Sequence, residues 1–97
     1  MNELPELNEA LLDSAGLDEL TSDIVTHTEI LEVIVKNPGQ RYAQEQSPSL
    51  DTGVESLKSG QAAGLQIRYR YEDAQWWDTI MATSDGFRLV RIRHVGM

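Results

Sequence analysis

The leucines near the N-terminus recur at helical spacing. Acidic residues separate them until Gly16 interrupts the pattern, which predicts a short acidic amphipathic helix ending at that glycine. Residues 17–24 are predicted to continue as a further helical turn, with Ser22 and Asp23 suited to a turn or a cap. The leucines that define the pattern are Leu4, Leu7, Leu11 and Leu12.

Two further elements follow in the first two thirds of the chain. Residues 29–36, EILEVIVK, are rich in β-branched side chains and precede an Asn-Pro-Gly turn signal, which predicts a strand, with a helix as the alternative. Apolar residues at positions 50, 54 and 57 predict a helix over 50–59, with Ser49 as its N-cap, Gly60 as its stop and Gly53 as a weak point inside it. The polar stretch 37–49 between them is predicted to be a surface loop.

The last third of the chain predicts a three-stranded antiparallel meander over residues 65–95. Its strands are expected at 65–71, 76–83 and 87–95. Asp85-Gly86 is a strong hairpin signal and pairs Ser84 with Phe87. A three-residue loop at 73–75 is preferred for the first hairpin, because a two-residue turn would put Asp78 on the apolar face, where an unpaired carboxylate costs several kcal/mol.

These registers assign the two adjacent tryptophans to opposite faces, since neighbouring side chains on a strand alternate. Trp77 is predicted to be buried, and Trp76 to lie among arginines, with Asp78 held between Arg70 and Arg93. The predicted core face carries Leu65, Ile67, Tyr69, Tyr71, Trp77, Thr79, Met81, Val90 and Ile92. The predicted opposite face carries Arg68, Arg70, Trp76, Asp78, Ile80, Leu89, Arg91 and Arg93.

Composition limits the class of protein. A chain of 97 residues with 40% hydrophobic residues suits one α+β domain over 1–97, with a helix packed on the Tyr69/Trp77/Ile92 face. Residues 1–64 carry 12 acidic and 3 basic residues (−9), and residues 65–97 carry 4 and 5 (+1). The acidic total argues against general nucleic-acid binding. The absence of cysteine and of a long apolar run predicts a cytoplasmic protein with no membrane segment.

Catalytic and metal-binding motifs are weak. Asp51-Thr52-Gly53 matches the aspartic protease triplet, but an amphipathic helix pattern follows it, so Asp51 is interpreted as a residue of a helix's first turn. His27 lies near acidic residues without the spacing of a metal site. No phosphate loop or nucleophile elbow is present. No cofactor or metal is predicted, and enzymatic activity is left open with a non-enzymatic role favoured.

The predicted function is protein contact through the Trp/Arg sheet face, because tryptophan and arginine are enriched at interface hot spots. The expected binding residues are Trp76, Arg68, Arg70, Arg91, Arg93, Asp78 and Ile80. The expected partner is an acidic protein surface or a second copy of the chain. The alternatives are a small-molecule or anion-binding domain, with possible hydrolase activity through Asp51 or His27, and an acidic inhibitor that uses the carboxylates of residues 1–32.

Overall fold

The computed structural model describes residues 7–37, 45–46 and 49–94, which form two helices and an antiparallel sheet. The predicted α+β class is confirmed, but the sheet is larger than the predicted meander. Five longer strands and one two-residue strand follow the order β1-β6-β5-β4-β2-β3. The elements are β1 Leu7–Leu12, α1 Ser14–His27, β2 Glu29–Lys36, β3 Glu45–Gln46, α2 Leu50–Ser59, β4 Gly64–Tyr71, β5 Ala74–Thr83 and β6 Gly86–His94.

The predicted N-terminal helix is wrong over residues 7–12, which form the edge strand β1. This strand pairs antiparallel with β6, so that Leu12 lies opposite Phe87 and Ala10 opposite Leu89. The backbone groups of a short segment gain partners from the existing edge of the meander, and this pairing overrides the helical spacing of the leucines. Residues 1–6, including Leu4, lie outside the described residues.

Helix α1 begins where the predicted helix was expected to end. Asp13 is its N-cap, and the Asp13 carboxylate accepts a hydrogen bond of 2.7 Å from the Gly16 N–H. Gly16 therefore belongs to the first turn of α1 and does not stop a preceding helix. The helical prediction for residues 17–24 is confirmed, and the helix continues to His27.

We expect Asp13→Ala to lower the free energy of unfolding by about 1 kcal/mol, because the substitution leaves a helix N-terminal N–H without its side-chain acceptor. Urea denaturation of this variant and of Glu19→Ala, which removes an exposed carboxylate from the same helix, gives the comparison. Equal stability of the two variants would contradict the capping role.

The strand at 29–36 and the helix at 50–59 are confirmed with their predicted bounds. The Ser49 Oγ accepts from the Thr52 N–H at 3.1 Å, and Gly60 ends α2 in the left-handed region with φ of 87°. The loop prediction is wrong at Glu45–Gln46, which pair with β2. The rest of the predicted loop at 38–44 and 47–48, and the predicted strand residue Val95, lie outside the described residues.

The buried core joins both helices to one face of the sheet. Leu17 and Leu57 are fully buried on the helices, and Leu65, Ile67 and Ile80 are fully buried on the strands. The core cluster contains Leu17, Ile24, Val33, Val35, Leu50, Val54, Leu57, Ala62, Leu65, Ile67, Tyr69, Ile80 and Leu89. We call this side of the sheet the helix-covered face and the opposite side the open face.

Both hairpin registers differ from the predicted ones. A two-residue turn at 72–73 places Tyr71 opposite Ala74, and Glu72 adopts a positive φ of 58° there. A second two-residue turn at 84–85 places Thr83 opposite Gly86. The predicted loop at 73–75 and the predicted pair of Ser84 and Phe87 are therefore wrong.

The first of these differences is an odd number of residues, so it exchanges the faces of β5 relative to β4. Asp78 lies opposite Ile67 and Arg91, not opposite Arg70 and Arg93. It is fully buried on the helix-covered face. The predicted three-residue loop keeps an unpaired carboxylate out of the core, but Arg91 and Tyr69 give Asp78 partners that offset the cost of its burial.

Candidate functional site

The sheet divides the predicted binding residues between its two faces. The placement of all seven on one face is wrong, because the β4 side chains project to the side opposite that of their expected β5 neighbours. The grouping of β5 with β6 is confirmed. The helix-covered face holds Trp76, Asp78, Ile80, Arg91 and Arg93, and the open face holds Arg68 and Arg70.

Asp78 is the centre of a hydrogen-bonded network on the helix-covered face. The Arg91 Nε donates to Oδ1 at 2.9 Å and Nη2 donates to Oδ2 at 2.8 Å, which is a bidentate ion pair. The Tyr69 hydroxyl donates to Oδ1 at 3.1 Å. We call these three side chains the Asp78 network. Its carboxylate is fully buried, while the Arg91 side chain is 27% exposed.

The network fixes the protonation states of the two donors. Burial and the neighbouring Asp78 charge raise the pKa of the Tyr69 phenol well above its ordinary value. The hydrogen bonds to Asp78 raise the pKa of the Arg91 guanidinium despite its partial burial. Tyr69 therefore stays a neutral donor and Arg91 stays cationic. Both carboxylate oxygens accept hydrogen bonds, so the arrangement holds Arg91 in place.

Trp76 lies beside this network and Ile80 belongs to the core beneath it. The Trp76 ring packs against the core cluster, and the Arg93 Cζ lies 5.7 Å from the ring centroid. Within the described part of the chain, the Trp76 Nε1 is buried without a hydrogen-bond partner. Arg93 has no ion pair among these residues.

A cleft of about 430 Å³ lies on the same side, between the C-terminal half of α1 and β4, β5 and β6. The Asp78 network contributes Tyr69 and Arg91 to its lining, and α1 contributes His27, which is exposed. The lining consists of Leu20, Asp23, Ile24, His27, Thr28, Tyr69, Tyr71, Trp76 and Arg91. It combines aromatic walls with charged groups, and its volume falls within the range of small-molecule sites.

Trp77 is the central aromatic side chain of the open face, where its predicted burial in the core is wrong. The Arg68 Cζ lies 3.9 Å from its ring centroid, and the His94 ring centroid lies 4.3 Å away with an interplanar angle of 39°. Ile92 lies directly across from it on β6. Met81 and Ile92, predicted to be buried, are 39% and 40% exposed. These apolar side chains of the open face are therefore accessible to solvent.

Six of the seven charged residues on the open face form ion pairs with one another. Arg68 contacts Glu32 at 3.3 Å and Arg70 contacts Glu29 at 3.0 Å. Near the opposite edge of the same face, Arg88 of β6 contacts the Glu9 carboxylate of β1 at 3.1 Å. Three acidic and four basic residues give the face a formal charge of +1, which leaves −9 on the rest of the chain. The seven are Glu9, Glu29, Glu32, Lys36, Arg68, Arg70 and Arg88.

The other candidate residues do not form a site with one another. Asp51 is exposed in the first turn of α2, as expected for a helix residue. Glu9 of the proposed acidic inhibitor surface lies on β1 beside Arg88, while Glu3 and Glu6 lie outside the described residues. Across 7–37, 45–46 and 49–94, no cluster of three potential ligands could hold a metal ion. No helix in these ranges is long and apolar enough to cross a membrane.

Comparison with protein-family models, curated proteins and solved structures gave no match for this chain.

Proposed function

We propose that this chain is a small non-enzymatic accessory protein that acts through protein contacts of its open face, and that the first occupant of this face is a second copy of the chain. The observation that carries the proposal is the uncovered row of Arg68, Trp77 and Ile92 across three neighbouring strands. Over the residues that the structure describes, the helices cover the other face, so half-buried apolar side chains here gain by packing against another surface. The absence of cysteine supports a cytoplasmic setting.

The centre of the proposed interface resembles other interfaces in composition. Trp77 provides a large aromatic surface, and Met81, Val90 and Ile92 surround it with apolar contact area. Tryptophan, methionine and arginine are enriched in interface cores. Two such sheet faces can pack at about 10 Å with their strands roughly aligned, as in a β-sandwich.

The charges favour a second copy over an acidic protein surface. Arg68, Arg70 and Arg88 already have carboxylate partners in their own chain, so they present little uncompensated positive charge to an acidic partner. The open face is nearly neutral, and the formal charge of −9 lies on the rest of the chain. Two copies that meet through this face therefore do not place like net charges directly against each other.

The area of the face suits a dimer of modest affinity. Five strands spaced at about 4.8 Å, each with about eight residues at 3.4 Å rise, span roughly 650 Å² per copy. Two copies would therefore bury about 1,300 Å², at the lower end of specific interfaces. Interfaces of this size have dissociation constants that are micromolar at their weakest.

We expect the wild-type chain to sediment as a dimer at tens of micromolar and to dissociate on dilution, with Ile92→Lys raising the dissociation constant at least about 30-fold. Analytical ultracentrifugation across a concentration series measures this. Val25→Lys is the matched control, because Val25 is 57% exposed on α1 and the substitution adds the same charge on the other side of the molecule.

Two outcomes of this experiment contradict the proposal. A wild-type chain that stays monomeric up to about 1 mM contradicts the second copy as occupant. Equal association of the two lysine variants contradicts the open face as the contact surface. Both variants are expected to keep the melting temperature of the wild type, since both positions are exposed.

A further inference from the structure

The cleft beside the Asp78 network contains an unpaired negative charge. Asp23 of α1 lines the cleft, and its carboxylate forms no ion pair or hydrogen bond within the described part of the chain. The cation of the lining, Arg91, is already held by both oxygens of the buried Asp78 carboxylate. These three formal charges sum to −1, so the cleft favours a cationic ligand over an anionic one.

The end of α1 adds hydrogen-bond acceptors to the same lining. The Thr28 hydroxyl donates to the Ile24 carbonyl oxygen at 2.7 Å, so its hydrogen is used within the chain and its oxygen keeps free lone pairs. Thr28 is also the C-cap of α1, and the last turn of a helix carries negative partial charge. A primary ammonium has three N–H donors and no acceptor, which matches Asp23 and Thr28.

The walls of the cleft suit a ligand with an aromatic ring. Tyr69, Tyr71 and Trp76 line it with aromatic surface, and a volume of about 430 Å³ accommodates one ring and a short amine. An ammonium group also gains from the face of an aromatic ring. The Arg93 Cζ already lies 5.7 Å from the Trp76 centroid, so a second cation fits better at Tyr71.

We propose that the cleft binds small primary amines that carry one aromatic ring, in their ammonium form. The ammonium group contacts Asp23, Thr28 and the face of Tyr71, and the ring packs against Trp76 and Ile24. The Asp78 network keeps the Arg91 charge neutralised and so keeps it from repelling the ligand. This site lies on the helix-covered side of the sheet, so it does not depend on self-association through the open face.

The test compares three ligands that share one ring and differ in charge, namely 2-phenylethylammonium, 2-phenylethanol and phenylacetate, at neutral pH. Two-dimensional NMR of the wild-type chain follows the backbone amide of Asp23 and the indole N–H groups of Trp76 and Trp77. We expect 2-phenylethylammonium to shift the first two signals saturably, with a dissociation constant of about 1 mM, and to leave the Trp77 signal in place. The alcohol should bind about fivefold more weakly and phenylacetate more weakly still.

Matched variants locate the ammonium group. Asp23→Asn should weaken binding of 2-phenylethylammonium about fivefold, whereas Glu19→Gln, which removes an exposed carboxylate one turn earlier on α1, should leave it within about twofold. Tyr71→Leu should weaken binding about threefold, and Tyr71→Phe, which keeps the ring, should retain it. Tyr71 is 43% exposed, so both changes leave the fold intact.

Four results would overturn the proposal. One is the absence of a saturable shift with 2-phenylethylammonium below about 10 mM. A second is binding of phenylacetate or 2-phenylethanol as tight as that of the amine. The others are equal binding by Asp23→Asn and Glu19→Gln, which would assign the effect to the overall charge of the chain, and equal binding by Tyr71→Leu and Tyr71→Phe.

Discussion

Asp78→Ala is expected to lower the free energy of unfolding by about 3 kcal/mol, more than the loss of any exposed charge in this chain. The substitution leaves the Arg91 guanidinium without its bidentate partner and the Tyr69 hydroxyl without its acceptor, both at the edge of the core. Removing one member of a buried pair costs about 3–5 kcal/mol. The lower value applies because the Arg91 side chain retains 27% exposure.

Equilibrium urea denaturation measures this effect, with Glu29→Ala as the control. Glu29 pairs with Arg70 on the open face, where both side chains are largely exposed, so its loss should cost less than about 1 kcal/mol. A triple variant carrying Asp78→Leu, Arg91→Met and Tyr69→Phe should recover most of the lost stability, since apolar replacement of a buried ion pair is often neutral. Equal losses for Asp78→Ala and Glu29→Ala would contradict the buried network.

Gly86→Ala is expected to destabilise the chain by about 3 kcal/mol and to detach β1 from the sheet. Gly86 has a φ of 144°, and an added Cβ would lie 2.5 Å from the Leu12 carbonyl oxygen. The methyl group therefore combines backbone strain of about 1–3 kcal/mol with a clash against backbone atoms. Only separation of the two strands relieves that clash.

Gly60→Ala separates the two contributions. Gly60 also has a positive φ, but no atom lies within 4 Å of an added Cβ, so strain alone should cost about 1 kcal/mol. Denaturation gives the stabilities, and amide hydrogen exchange across residues 7–12 reports on β1. Equal stabilities of the two alanine variants, with β1 equally protected, would contradict the close approach of β1 and β6.

Local sequence signals predicted the elements that have a capping residue or a turn signal at their own ends. The helix at 50–59 has Ser49 and Gly60 at its ends, and the strand at 29–36 has a dense β-branched sequence followed by a turn signal. These features act within a few residues, so they are visible in the chain itself. The N-terminal strand has no such signal, because its structure depends on β6, about eighty positions later.

The register of the meander could not be fixed from turn chemistry alone. The turn at 72–73 has a glutamate at positive φ, a position that ordinarily favours glycine or asparagine. The sequence pattern predicts Asp78 outside the apolar face because an unpaired carboxylate is costly there, and it does not reveal that Arg91 lies directly across from it. Ile80 and Leu89 were the signal available in the sequence. The predicted register places these two large aliphatic residues on a charged exposed face, whereas the structure buries both of them.

The exchange of faces also determined which tryptophan lies on the open face. Trp77, with Arg68 and His94, takes the position on the open sheet face that the sequence pattern assigned to Trp76, and its ring is half-buried there. Trp76 instead lies beside a buried ion pair and a cleft. Protein contact through a Trp/Arg surface thus stays a prediction, now centred on the other tryptophan.

Cross-strand nuclear Overhauser contacts between β4 and β5 are the decisive measurement of the sheet register, because both the open face and the cleft depend on it. We expect backbone contacts that place Asp78 opposite Ile67 and Trp77 opposite Arg68. Contacts that place Asp78 opposite Arg70 and Trp77 opposite Tyr71 would contradict it, since they would return Trp77 to the core and Asp78 to the exposed face.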